Sequence, residues 1–200
     1  MLLFPIGLIL VFFYINIPIF GHTVDILPDA VGYLLIVFNA WKFREKSNSF
    51  SNLVYLSSIL AVYSTVVRLV MPAGMMGIAL SLLELILQLY LLKWIVDGVK
   101  DMEQAVGAHL NTDVLYRWRI LVSSAWAAVF VFVTASALAP ELTGIALAAA
   151  AAWAVLCVLF LVTLFRTSHR YKLLVKFGPP EPDYTGEEDD GDKTDGDDDF

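Results

Sequence analysis

The sequence predicts an all-α polytopic integral membrane protein, six transmembrane helices folded as three hairpins with the second helix short or broken. Three observations lead to that fold class. Of the 200 residues, 58% are apolar, well above the usual share of a soluble domain, and the mean hydropathy is positive. The apolar residues gather in six runs, 2–20, 26–41, 53–71, 77–96, 120–139 and 144–165, most of them close to the roughly 20 residues that a spanning helix needs. Basic residues then mark every second connection. Lys42, Arg44 and Lys46 follow the second run, Lys93, Lys100, Arg117 and Arg119 separate the fourth from the fifth, and Arg166, Arg170, Lys172 and Lys176 follow the sixth. The opposite connections hold none, and Arg68 lies just inside a span. By the positive-inside rule both termini face the cytoplasm of a multi-pass cell-membrane protein, and Trp41, Trp94 and Trp118 fall at its inner boundary.

The first run invites a second reading as a signal peptide. It lacks a basic leading region and contains Asn16 and Pro18, which argue for a retained span. The second run is the short one, and the segment before it reads HTVDILPDAVGYLLI. Pro28 has no amide to donate and suits a helix's first turn, so the helix starts there. Counted back from Trp41 at a rise of about 1.5 Å per residue, Asp29 stands only about 18 Å from the inner boundary, inside a hydrocarbon layer about 30 Å thick. Irregular backbone at that depth needs protein or a water-filled cavity around it.

The outer turns share an echo in PDAVGYLL, PAGMMGIAL and PELTGIAL. Their uneven spacing favours prolines that open helices and glycines that permit turns over a true threefold repeat. In the connection 97–119, Val99, Met102, Val106 and Leu110 recur at helical spacing, so one face is expected to lie on the membrane surface. Asn111 and Thr112 offer a helix cap, and His109 reads as a solvated loop residue. The fifth and sixth runs are rich in small residues, with Ser123, Ser124, Ala127, Ala128 and Ser136 set against the alanines of 148–152. Small side chains let membrane helices approach closely, and this hairpin reads as scaffold.

Charge divides the chain into a membrane domain, 1–177, and a tail, 178–200. The tail carries eleven acids and one Lys, whereas the domain carries twelve Lys or Arg against nine acids. A segment so acidic and poor in apolar residues is expected to be disordered in the cytoplasm. Its aspartates lack the twelve-residue spacing of a calcium loop. Repelled by anionic headgroups, it is free to meet a basic protein partner. The basic residues form short clusters beside apolar runs, unlike the single stripe of a nucleic-acid-binding face. One cysteine, Cys157, excludes an intramolecular disulfide and a cysteine-based zinc site.

The candidate site is an intramembrane polar set of Asn16, Asp25, Asp29, Arg68 and Glu84. Depth from the inner boundary is about 15 Å for Glu84, 18 Å for Asp29, 21 Å for Asn16 and 24 Å for Arg68. Ionisable groups at such depth usually pair inside the bundle. Arg68 and Glu84 occupy adjoining helices of one hairpin and suit an ion pair. A single Arg does not neutralise both Glu84 and Asp29, so a spare carboxylate is expected to hold a proton or to bind a cation. His22, Asp25 and Asp29 fall short of a metal ligand set, and no cofactor is expected. Two aspartates in one loop do not make a protease dyad, and no other catalytic motif is present.

The run DILPDAVGYLLIV, with an acid, two apolars, Pro-Asp and a Gly-Tyr pair opening a helix, resembles a segment of small multi-pass bacterial membrane proteins of unassigned function. That resemblance implies a membrane location and no activity. The sequence therefore points to a non-enzymatic accessory or regulatory subunit embedded in the lipid bilayer. The alternative is a small carrier or proton-coupled permease built on the intramembrane Asp/Glu/Arg set.

Overall fold

The structure is a computed structural model that describes residues 3–13, 16–19, 22–25, 29–70, 74–107 and 109–177. In 16–19 and 22–25, and at Arg68 and Phe177, it describes the backbone alone. Helix α1 (Leu3–Phe12) leads into a hairpin of strands β1 (Asn16–Ile19) and β2 (His22–Asp25). There follow α2 (Asp29–Trp41), α3 (Asn48–Val70), α4 (Gly74–Val106), α5 (Thr112–Ser136), a single 3-10 turn (Pro140–Leu142) and α6 (Thr143–Phe177). The tail, with its expected disorder, lies outside the described residues.

This architecture corrects the six-helix expectation. Among the described residues four helices, α3 to α6, are long and apolar enough to cross a membrane, while α1 and α2 are shorter apolar helices. The ten residues of α1 and thirteen of α2 reach about 15 Å and 20 Å, against about 30 Å of hydrocarbon. The run 2–20 fails as one helix because its second half takes another structure. Asn16 pairs with Asp25, Ile17 with Val24, Pro18 with Thr23 and Ile19 with His22 in an antiparallel two-stranded ladder. Proline ends a helix but is tolerated in a strand that has a free edge, and both strands of an isolated pair do. The chain is a multi-pass helical membrane protein whose first two helices are foreshortened.

Consecutive helices pack as antiparallel neighbours, α1 on α2, α2 on α3, α3 on α4, α4 on α5 and α5 on α6, and α1 also touches α6. The α1–α2 contact is backbone on backbone. A Cβ placed on Gly32 would stand 2.7 Å from the Gly7 carbonyl oxygen, and one on Gly7 would stand 2.8 Å from that of Gly32. Small residues of this kind are what allow close helix approach where lipid supplies no hydrophobic drive. Phe12 meets Trp126 and Trp153 edge-on, at 5.4 and 6.0 Å between centroids, which fixes α1 against the α5–α6 hairpin.

Phe50, fully buried at the start of α3, is the hub of the opposite end. It stacks on Phe4 at 5.5 Å, lies 5.7 Å from Phe43 and fits against Gly98 of α4, where a Cβ would meet its ring at 2.7 Å. Phe43 in turn meets Tyr171 of α6. These contacts bring the start of α1, the α2–α3 connection, the end of α4 and the end of α6 to one end of the bundle. Every Lys and Arg of the described residues except Arg68 lies toward this end. In 97–119, where one face is expected to lie on the membrane surface, residues 97–106 prolong α4, and Val99, Met102 and Leu110 are buried in the protein core.

Candidate functional site

Two polar assemblies cross between helices, one inside the bundle and one at the charged end. Inside, Asp29 opens α2 and is buried, 8% exposed. Tyr33 follows one turn later on the same face and is fully buried. On α4, Glu84 and Gln88 hold the same i, i+4 relation. Gln88 Nε2 donates to the Tyr33 hydroxyl at 2.6 Å and approaches Glu84 Oε1 at 3.4 Å. Tyr63 of α3 donates to the Leu80 carbonyl at 2.7 Å and lies within electrostatic range of Glu84. Buried polar groups in an apolar medium need such partners, and these bonds tie α2, α3 and α4 at one level.

This is where the sequence-predicted residues come to rest. Glu84 joins the relay and Asp29 stands one turn from it, while Asn16 and Asp25 are register partners in the β-hairpin. The side chains of Asn16, Asp25 and Arg68 lie outside the described residues, and with them the expected Arg68–Glu84 pair. Among the described residues no charged cluster is evident within the membrane. What is evident is a mixed relay of one carboxylate, a phenol and an amide. Tyr33 and Gln88 were missed by sequence reasoning, although the signal was there: each sits four residues beyond a candidate carboxylate, hence on its face of the helix.

The charged end is held by hydrogen bonds between connections. Ser47 and Ser49, at the start of α3, both donate to Asp101 Oδ2 near the end of α4, the latter at 3.0 Å. Thr167 of α6 donates to the Leu110 carbonyl at 3.3 Å. At the start of α5 the expected cap is replaced. Asn111 has a left-handed backbone and forms no side-chain cap bond. Glu103 caps instead: its Oε2 accepts from the Thr112 amide at 3.3 Å and from the Thr112 hydroxyl. A carboxylate there also faces the positive end of the α5 dipole. His109, fully exposed, sits 3.3 Å from Glu103 Oε1.

The 33 residues of α4 extend about 50 Å, so Glu103 stands beyond the hydrocarbon. Burial by itself would raise its carboxyl. The bonds from the Thr112 hydroxyl, the amides of Leu110 and Thr112, and His109 favour the charged form more strongly and hold it below the usual carboxylate value.

Among the described residues no three His, Cys, Asp or Glu side chains gather as a metal site. No protein-family model, curated protein or solved structure matches the chain.

Proposed function

We propose that this protein is a non-enzymatic accessory or regulatory membrane subunit whose charged end and acidic 178–200 segment engage a cytoplasmic protein partner. One observation carries the reading. Ser47 and Ser49 on Asp101, Glu103 on Thr112, and Thr167 on Leu110 bind the α2–α3 and α4–α5 connections and α6 into a single platform. Helices need no such cross-ties merely to span a bilayer, and a surface held this rigidly limits the entropy lost on docking. The basic residues around it support a cytoplasmic position for the platform by the positive-inside rule. The resemblance of the Asp25–Tyr33 segment to small bacterial membrane proteins is in keeping with a membrane location.

The test is quantitative recovery of partner on the purified chain, comparing the full sequence, a chain lacking 178–200, and Asp101→Ala, which opens the platform. A specific partner recovered near equimolar ratio with the full chain, and depleted from both variants, is expected. An unchanged set of co-purifying proteins across all three overturns the proposal.

A second reading, a small proton-coupled carrier, is favoured by the burial of Asp29 beside the Tyr33–Gln88–Glu84 relay. Reconstituted vesicles in which neither a proton nor a cation gradient drives flux, and in which Glu84→Gln changes nothing, would remove it.

A further inference from the structure

Beyond the platform and the interior relay, a cavity of about 1340 Å³ opens between α1, α5 and α6. It exceeds the roughly 300–1,000 Å³ of a pocket for a compact small molecule. Its walls change character along α6. Val158, Val162 and Phe165, with Ile9 of α1 and Phe13 just after it, line an apolar stretch, and Arg166 and Arg170 stand on the lining one turn apart farther along α6. No Asp or Glu belongs to the lining. Trp118 of α5 completes the wall, an indole of the kind that settles at the boundary between lipid and water. From Val158 to Arg170 the rise is about 18 Å, the direction of a lipid from chain to headgroup.

We propose that this groove is a binding site for one anionic phospholipid, its phosphate held by Arg166 and Arg170 and an acyl chain lying along Val162 and Phe13. Charge selects the occupant. Two exposed guanidiniums without a lining carboxylate suit a phosphodiester, which Arg meets in a bidentate fashion. Basic pockets between membrane helices bind anionic headgroups in this way. A zwitterionic lipid brings its own cation to the same place and gains less. A water-soluble anion would leave the apolar stretch unused. The proposal stands independently of the accessory-subunit reading, since it concerns the lipid-facing side of the α5–α6 hairpin.

The experiment uses the full chain in nanodiscs of phosphatidylcholine with or without phosphatidylglycerol. It reads the apparent Tm and, by native mass spectrometry, the lipid retained. For the unaltered chain we expect a Tm several degrees higher with phosphatidylglycerol and one such lipid retained in preference to phosphatidylcholine. The double variant Arg166→Gln with Arg170→Gln, both residues being exposed, is expected to fold and to lose the preference. Val162→Trp, which keeps the charges and fills the apolar stretch, is expected to lower retention as well. Equal effects of the two lipids on the unaltered chain, or a preference that survives the double Arg variant, would overturn the proposal. So would a preference that emerges only when 178–200 is removed, because the chain's own acidic segment would then be the occupant.

Discussion

Gly7 and Gly32 face each other with no side chain between them, so that α1 and α2 touch through their backbones. A methyl group on Gly32 would meet the Gly7 carbonyl oxygen at 2.7 Å and Val11 Cγ2 at 2.8 Å, and a backbone oxygen does not swing aside as a side-chain tip does. Helix propensity alone favours Ala over Gly by about 1 kcal/mol, but overpacking of this kind costs about 1–3 kcal/mol. Gly32→Ala is therefore expected to lower stability despite the better helix former. Gly144→Ala in α6, where nothing lies within 4 Å of the added carbon, is expected to be neutral or mildly stabilising. Paired denaturation curves in detergent check both signs.

The Gln88–Tyr33 bond spans α2 and α4 at 2.6 Å, and its value is measurable by a double-mutant cycle. With Tyr33→Phe, Gln88→Leu and the pair, a coupling of about 0.6 kcal/mol, and not above about 1.7, is expected for a hydrogen bond between membrane helices. Additive effects would mean that the two side chains do not support each other.

Asp101 accepts from both Ser47 and Ser49. Hydrogen bonds to a charged group contribute about 1.5–3 kcal/mol. Asp101→Ala should lose on that order and raise amide exchange at the start of α3. Ser47→Ala and Ser49→Ala, each removing one donor, should each lose less.

Glu103 makes the charged end sensitive to acid. Its carboxyl is held below the ordinary value when folded, where the carboxylate caps Thr112. The stabilisation is therefore complete above the unfolded carboxyl's pKa, about 4.3, and is lost as pH falls through the lower folded value. Stability measured from pH 7 down to pH 3 should decline more steeply for the unaltered chain than for Glu103→Gln, which at neutral pH starts lower. Parallel profiles would show that the cap does not depend on charge.

Length and apolarity made α3 to α6 legible, because a run of some 20 apolar residues has few solutions other than a spanning helix. The 2–20 run was misread since composition does not separate a strand from a helix in short apolar stretches. Asn16 and Pro18 mark the break, both falling in β1. The apolar spacing of Val99, Met102 and Leu110 does not say whether such a face meets lipid or protein, and in the structure these side chains lie in the protein core. Asp29 and Glu84 stood out as acids in apolar surroundings. Tyr33 and Gln88 did not, because phenol and amide are unremarkable in a membrane helix until a partner four residues away is considered. The Asn111 cap failed for a related reason, the better acceptor, Glu103, being eight residues upstream on another helix.

The most direct test of a bundle with four full crossings is the sidedness of its ends. With Cys157 replaced by Ala, single cysteines at the exposed positions Glu45, Met75, Gln104, Leu138 and Lys172 are labelled by an impermeant maleimide in sealed vesicles of known orientation. With four full crossings, positions 45, 104 and 172 are expected to react from one side and positions 75 and 138 from the other. Reaction of all five from a single side, or of 75 and 45 from the same side, would contradict that arrangement.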